Sequence, residues 1–246
     1  MDFGLIIDSW PALMRGAVMT LTLTAIAVPA GLALALPLAV ARLSHRLWLR
    51  LPSYAVIYVF RGTPLLIQLY LIYYGLGQFN AVLKSWGVWW FFRNELYCAL
   101  LVLSLNTGAY TAEIFRGAIS GVPSGFIEAA QASGMSWFTR LRRIVLPSAF
   151  RLAWPAYTNE VVFLMQATSL VSLITVIELF RVTKTMADRT FDIYTMYITT
   201  GLIYLMISYG IILLFGLIEA YLMRHMPLAP NARKTINQRA LAVLMR

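Results

Sequence analysis

Long uncharged stretches constrain the fold of this chain more than any other feature. Four of them can cross a hydrocarbon core of about 30 Å as helices that rise about 1.5 Å per residue, and a fifth is interrupted only by Glu160. They are residues 16–41, 62–83, 96–112, 152–177 and 193–218. Because 60% of the residues are hydrophobic and 12% charged, the chain has more apolar surface than a soluble core can bury. We therefore predict an all-α integral membrane protein with five transmembrane helices.

The positions of the basic residues predict the orientation of these spans. Arginine and lysine in short loops are retained on the cytoplasmic side of a membrane. They cluster after the first span, around the third connection and after the last span, at Arg42, Arg46, Arg50, Arg116, Arg140, Arg142, Arg143, Arg151, Arg224, Arg233, Lys234, Arg239 and Arg246. The other connections carry few or balanced charges. We expect the amino terminus outside and the carboxy terminus in the cytoplasm, in one domain (1–246) with a cytoplasmic tail at about 224–246.

Charge and motif content exclude several classes of function. The net charge is +10, but the cations lie at the ends of apolar spans, where topology and anionic lipid account for them, so we expect no nucleic-acid partner. The single cysteine, Cys98, excludes an internal disulfide or a thiolate metal site. The P-loop pattern, Gly-x-Ser-x-Gly and His-Glu-x-x-His are all absent from the sequence. We predict no catalytic residues, no metal site and no cofactor bound by this chain.

Glu160 is the acid that lies deepest in a predicted span. Counted from Arg151 at about 1.5 Å per residue, it lies about 13 Å into the membrane. A carboxylate at that depth is costly unless it faces a wet cavity or a partner, which favours a functional role over a locked structural one. Polar neighbours surround it and predict a helix that unwinds or kinks, at Thr158, Asn159, Gln166, Thr168, Ser169 and Ser172.

Other polar residues of the apolar spans have less definite roles. The same depth arithmetic allows Asn106 to face Glu160 across a cavity. Glu113 and Arg116, spaced i and i+3 near the inner surface, predict a structural ion pair, and we expect Gln68 and Tyr110 to serve core packing. Arg61 has two interpretations that the sequence leaves open. It is either deep enough to meet a substrate carboxylate or it snorkels from an interfacial segment.

A polar, cation-rich segment separates the third and fourth spans. Pro123 and Ser124 are typical of a helix start, Gly134 of a helix stop, and a second interfacial helix is expected over 137–145. The spacing is Glu128-Ala129-Ala130, three residues, Gly134, nine residues, then Ile144-x-Leu146-Pro147. This pattern resembles the cytoplasmic "EAA" loop by which membrane subunits of ABC importers dock on their ATPase.

Three further segments extend the resemblance. FRGTPLLIQLYLIYYGL (60–76), NTGAYTAEIFRGAI (106–119) and TNEVVFLMQATSLVSLITVIEL (158–179) resemble the polar amino acid uptake family of ABC permeases, of the histidine/arginine/ornithine/octopine type. The resemblance implies a type I importer fold in the bacterial inner membrane. It implies a sister permease, usually non-identical, two ATP-binding subunits, and a periplasmic or lipid-anchored substrate-binding protein.

The resemblance also assigns roles to residues. Glu128, Ala129, Ala130 and Gly134 would contact the ATPase within a coupling loop at about 121–147. Asn159 and Glu160, with Thr168 and Ser169, would line the substrate site. Many relatives carry Lys-Asp where this chain has Gln166-Ala167, so this half offers one acid rather than two.

We therefore predict a permease subunit of an ATP-driven importer of polar, basic amino acids or opines. It would form half of the pathway, be surrounded by membrane lipid, and rely on ATP hydrolysed by a partner chain. The alternatives are a secondary transporter or channel without an ATPase, a membrane-embedded enzyme, and a purely structural subunit.

Overall fold

The computed structural model describes residues 2–223, and all regular secondary structure in that part of the chain is helical. The α-helices in chain order are α1 Phe3–Arg42, α2 Leu47–Gly62, α3 Leu65–Tyr70, α4 Asn80–Ser85, α5 Trp89–Phe92, α6 Glu95–Ser120, α7 Ser124–Ala132, α8 Trp137–Arg140, α9 Leu146–Ala167, α10 Leu179–Thr190 and α11 Ile193–Met223. Single π-helical turns follow α3 (Leu71–Gly75) and α8 (Leu141–Val145), and a 3₁₀ segment follows α9 (Thr168–Ile174).

Three unbroken helices, α1, α6 and α11, are long and apolar enough to cross a membrane. Two bent pairs of helices are long and apolar enough when the members of each pair are taken together. The first joins α2 to Leu65–Gly75 at 104°, and the second joins Trp137–Ile174 to α10 at 54°. If each bent pair is one span, the described residues contain the five spans that the sequence predicts.

The second span differs from its prediction over 62–83. No continuous helix occupies that stretch, because α2 ends at Gly62 and the chain turns sharply at Thr63 and Pro64. Proline lacks an N–H group and disfavours helical backbone in the residue before it, and Thr63 is accordingly extended, with φ −116° and ψ 142°. The span consists instead of α2 followed by the bent segment that ends at Gly75.

Helices α1 and α6 pack against each other at small residues. A Cβ atom on Gly31 of α1 would overlap Cγ2 of Thr107 and lie 3.2 Å from the backbone nitrogen of Gly108 in α6. A Cβ on Gly108 would lie 3.2 Å from the carbonyl oxygen of Gly31. Small residues allow this close approach of two backbones, which is a common way for membrane helices to associate. The largest buried apolar cluster lies beside this contact and includes Leu23, Ala27 and Leu103.

Glu178 fastens three helices at the end of the bundle that is opposite α7. Its side chain is fully buried and caps α10 by accepting hydrogen bonds from the backbone N–H groups of Phe180 and Arg181, both at 2.8 Å. The hydroxyl of Tyr204 in α11 also donates to it at 3.0 Å, and that of Thr20 in α1 does so at 3.5 Å. The connection between the predicted spans 152–177 and 193–218 therefore contains an anchored helix, α10.

The amino-terminal end of the described chain lies at the same end of the bundle as α10. The backbone N–H of Asp2 donates to the Thr195 hydroxyl at 3.2 Å, beside the start of α11. Helix α1 then runs to Arg42, which lies 3.8 Å from Glu113 near the end of α6 that leads into α7. The amino terminus and the α7 loop are thus at opposite ends of the bundle. The predicted tail at 224–246 lies outside the described residues.

Candidate functional site

The break between α2 and α3 lies at the middle of the bundle and is held by two side-chain amides. The Gln68 amide nitrogen donates to the carbonyl oxygens of Phe60 (2.9 Å) and Thr63 (3.0 Å) and to the Thr63 hydroxyl (2.9 Å). The Asn106 amide nitrogen donates to the Phe60 carbonyl and to the Gln68 side-chain oxygen, both at 3.1 Å. These bonds satisfy carbonyl groups that the end of a helix leaves without partners.

This geometry gives Asn106 and Gln68 definite positions. Gln68 is buried, as expected for a packing residue, but it also caps the break. Asn106 directs its amide nitrogen to this break, and the hydrogen bond to Glu160 comes from its neighbour Thr107. Sequence reasoning missed Thr107 because depth along a helix does not tell which of two adjacent residues faces a given neighbour.

Glu160 is half-buried on α9, with one carboxylate oxygen held in place. The Thr107 hydroxyl of α6 donates to its Oε1 at 3.0 Å. Arg61 is near enough for its positive charge to act on the Glu160 carboxylate. Asn159, the preceding residue, is exposed. Glu160 is thus a positioned carboxylate that remains partly open, and it can attract a cationic group.

The helix changes form immediately after this acid. Helix α9 ends at Ala167 and continues as a 3₁₀ segment from Thr168. The Thr168 side chain is fully buried and donates to the Met165 carbonyl at 2.7 Å, and the Ser169 hydroxyl donates to the Gln166 carbonyl at 2.8 Å. Such bonds to the preceding turn are typical of hydroxyl residues at helix irregularities. The hydroxyl of Thr168 is therefore occupied inside the protein, whereas Ser169 is only partly buried.

A cavity of about 300 Å³ lies between the end of α1, α2 and α6. The guanidinium of Arg61 lies over the Tyr110 ring, 5.1 Å from its centroid, and that of Arg42 lies 4.4 Å from the Tyr54 centroid. All four side chains line the cavity, together with Glu113. Glu113 accepts from Arg116 at 2.7 Å, which confirms the predicted ion pair, and Arg42 approaches its other oxygen at 3.8 Å.

The segment that follows α6 forms a helix, a stop and a second helix, as predicted. Gly134 has a φ of +73°, and the N–H groups of Gly134 and Met135 donate to the carbonyls of Gln131 (2.9 Å) and Ala130 (3.1 Å). This is the Schellman arrangement that ends many helices, and a positive φ strongly favours glycine. Ser136 then caps α8 by accepting from the Thr139 N–H at 3.3 Å.

The four residues predicted to couple to an ATPase do not share one environment. Glu128, Ala129 and Gly134 are exposed, whereas Ala130 is buried. Exposed aromatic side chains flank them at Phe126, Trp137 and Phe138. The loop therefore offers a surface with one acid, small residues and large apolar rings, of a kind that suits a protein partner.

Comparison with known proteins identifies the family. Residues 27–226 match the model of the binding-protein-dependent transport system inner membrane component. The chain belongs to this family. It is the permease subunit of an ABC importer, a multi-pass inner-membrane protein that does not itself act as an enzyme. Such a permease works with an ATPase and a substrate-binding protein, so neither a secondary transporter nor a membrane-embedded enzyme describes it.

Individual relatives agree with this assignment along most of the chain. The nopaline transport system permease protein NocM of Agrobacterium fabrum is 44% identical over 96% of this chain and all of the relative. The histidine/lysine/arginine/ornithine transport system permease protein HisM of Escherichia coli is 41% identical over 85% of this chain and 88% of the relative. A crystal structure of an amino acid ABC transporter with histidines matches with a TM-score of 0.79 and 31% identity, covering 90% of this chain and 99% of that one. This structural match confirms the predicted type I importer fold.

Proposed function

We propose that this permease forms half of the translocation pathway for polar, basic amino acids or opines. The observation that carries the proposal is Glu160, a half-buried carboxylate held by Thr107 in the middle of the bundle, where it can attract an ammonium or guanidinium group. The names of the relatives, which specify nopaline and histidine/lysine/arginine/ornithine transport, support this substrate class. Asn159 and Ser169 extend the proposed polar wall around the acid. Asn106 and Thr168 contribute to this wall indirectly, because their side chains hold the backbone carbonyls of Phe60 and Met165.

The proposed assembly contains a sister permease, two ATP-binding subunits and a substrate-binding protein. The sister subunit supplies the other wall of the pathway and is non-identical in our proposal. The binding protein, periplasmic or lipid-anchored, delivers substrate to the end where α10 and the amino terminus lie, which we place outside the cell. The whole chain, 1–246, acts as one domain, and its carboxy terminus lies in the cytoplasm.

ATP hydrolysis in the partner drives transport through the coupling loop at about 121–147. The exposed Glu128, Ala129 and Gly134 form the contact surface, and the buried Ala130 anchors α7 against the bundle. Closure of the ATPase dimer moves α7 and switches the access of the pathway from one side to the other. This chain needs no bound cofactor of its own for that task.

The substrate proposal is tested by uptake into proteoliposomes that contain the complete assembly. We expect Glu160→Gln to reduce uptake of radiolabelled arginine about tenfold or more, because the variant lacks the negative charge, while basal ATP hydrolysis stays close to wild type. Histidine, glutamine and octopine measured in parallel define the substrate. Glu95→Gln, at the start of α6, is the matched control. Unchanged arginine uptake by Glu160→Gln would exclude the proposed role of the acid.

The coupling proposal is tested by crosslinking. Cys98 is fully buried and can be replaced by alanine, so that a single introduced cysteine reports contacts. We expect Ala129→Cys to crosslink to the ATPase, and Ala130→Cys, one residue further and buried, to do so far less. The proposal is wrong if Ala129→Cys captures no ATPase in an assembly that still transports.

A further inference from the structure

Arg61 lies midway along the spans rather than at their ends. The carbonyl of Phe60 is bonded to Asn106, and the carbonyl of Arg61 itself accepts from the Tyr110 hydroxyl at 3.4 Å. Both donors are in the middle of α6, so α2 ends at mid-depth. Of the two interpretations that the sequence leaves open, the structure favours the deep one. A cation at this depth is costly unless it faces water or an anion.

The guanidinium of Arg61 forms no close ion pair within residues 2–223, and the acid on which its charge acts at longer range is Glu160. The ion pairs of the described chain involve Arg42, Arg116 and Glu113, and the side chain of Arg61 forms no hydrogen bond there. Its contact is with the face of the Tyr110 ring, which leaves the N–H groups at the edge of the guanidinium free to donate. A planar fork of donors of this kind matches a carboxylate.

The cavity beside Arg61 has the size and charge for such a group. Its volume of about 300 Å³ is at the lower end of the range for small-ligand sites. The lining contains two arginines, Arg42 and Arg61, and one acid, Glu113, which is shared with Arg116, so the cavity carries a net positive charge. The rings of Tyr58 and Tyr110 form apolar walls around it.

Helix α6 contacts both this cation and Glu160, which is not among the residues that line the cavity. The ring of Tyr110 contacts the guanidinium of Arg61, and the hydroxyl of Thr107 donates to the Glu160 carboxylate. Tyr110 and Thr107 are three residues apart on α6 and are therefore neighbours on the helix surface. A ligand lying along this part of α6 meets a positive charge at one end and a negative charge at the other. A basic amino acid presents the complementary pair, a carboxylate and a cationic side chain.

We propose that Arg61 binds the α-carboxylate of the transported amino acid while Glu160 receives its cationic side chain. This inference rests on the proposed function and adds a specificity-determining residue to it. If Arg61 has this role, the membrane subunit itself requires a substrate with a free α-carboxylate, whatever the binding protein selects.

Arginine and agmatine provide the test, because agmatine is arginine without the carboxylate. Binding of each is measured by calorimetry on the purified membrane complex with its ATPase subunits, without the binding protein. We expect the wild type to prefer arginine over agmatine by about tenfold or more, the size of a charge-assisted hydrogen bond. Arg61→Gln should lower arginine affinity to that for agmatine and leave agmatine binding unchanged. Arg50→Gln, an exposed arginine of α2 outside the cavity, is the control and should change neither affinity.

Arg61→Lys is the second variant in case Arg61→Gln does not assemble. It keeps the charge but not the fork, so it should lose part of the preference for arginine. Equal loss of both ligands in these variants, unchanged preference, or a wild-type complex that binds the two equally or binds neither would overturn the inference. Failure of the proposed function looks different, because ATP-dependent uptake by the complete wild-type assembly would then be absent.

Discussion

The amide of Gln68 provides the sharpest test of how a broken helix is maintained in the middle of this bundle. Gln68→Leu keeps the size of the side chain and removes all its hydrogen bonds. The Phe60 carbonyl retains its bond from Asn106, but the Thr63 carbonyl loses the bond from Gln68, and Asn106 loses an acceptor.

The expected cost follows from these losses. A typical intramolecular hydrogen bond contributes about 0.5–1.5 kcal/mol, and we take about 2 kcal/mol in total for the bonds that Gln68 makes, because water can replace part of those to the exposed Thr63. For a chain of this size each kcal/mol corresponds to about 2–4 °C, so the midpoint of thermal unfolding should fall by about 4–8 °C. Nanoscale differential scanning fluorimetry of the purified complex measures this shift.

Two further variants make the measurement specific. Gln78→Leu replaces an exposed glutamine just beyond the bent segment and should shift the midpoint by less than about 1 °C. Asn106→Leu combined with Gln68→Leu should cost less than the sum of the single changes, because the two side chains share a hydrogen bond. A midpoint for Gln68→Leu within about 1 °C of wild type would refute the view that side-chain amides hold the break.

Two glycines yield further predictions. Gly31→Ala places a methyl group onto Thr107 and should destabilise the protein by about 1–3 kcal/mol in thermal unfolding, whereas Gly210→Ala in α11, which meets open space, should be neutral. Gly134→Ala adds a side chain at a φ of +73° and should destabilise the end of α7 by about 1 kcal/mol. Because α7 belongs to the proposed coupling loop, fewer substrate molecules should then be transported per ATP hydrolysed. An unaltered midpoint for the first variant, or an unaltered ratio for the second, would contradict the corresponding reasoning.

The coupling loop was predictable because its structure is set locally. Pro123 before the helix, Gly134 after it and Ser136 before the next are capping residues whose effect depends on adjacent backbone groups. A sequence pattern can therefore place α7 and α8 within a few residues. Exposure within the loop is a different matter, since only packing against the bundle distinguishes the buried Ala130 from the exposed Ala129.

The break in the second span was not predicted, although its signal is in the sequence. Thr63-Pro64 marks a helix boundary, but the residues on both sides are apolar. Hydropathy gives the length of an apolar stretch and does not show whether the chain bends within it. The stability of the break depends on Asn106, which is distant in sequence. Glu178 shows the same limitation, because its partners Thr20 and Tyr204 come from α1 and α11 and turn an apparent loop charge into a buried cap.

Thr107 connects the packing of the bundle to the proposed site, and its two functional groups can be separated. Its methyl group lies against Gly31 of α1, while its hydroxyl donates to Glu160 on α9. Because a β-branched side chain has few rotamers, the methyl contact fixes where the hydroxyl points. The close approach of α1 to α6 therefore determines the position of a carboxylate on a third helix.

Thr107→Val and Thr107→Ser should consequently have opposite effects. Valine keeps the branched shape and loses the donor, so arginine uptake should fall severalfold while the thermal midpoint stays within about 2 °C of wild type. Serine keeps the donor and loses the methyl group, so the midpoint should fall by a few degrees, at about 1 kcal/mol for one buried methyl, with uptake better preserved than in the valine variant. If uptake and stability changed in parallel in both variants, the hydroxyl would have no role of its own, and Glu160 would be held by the packing of α9 alone.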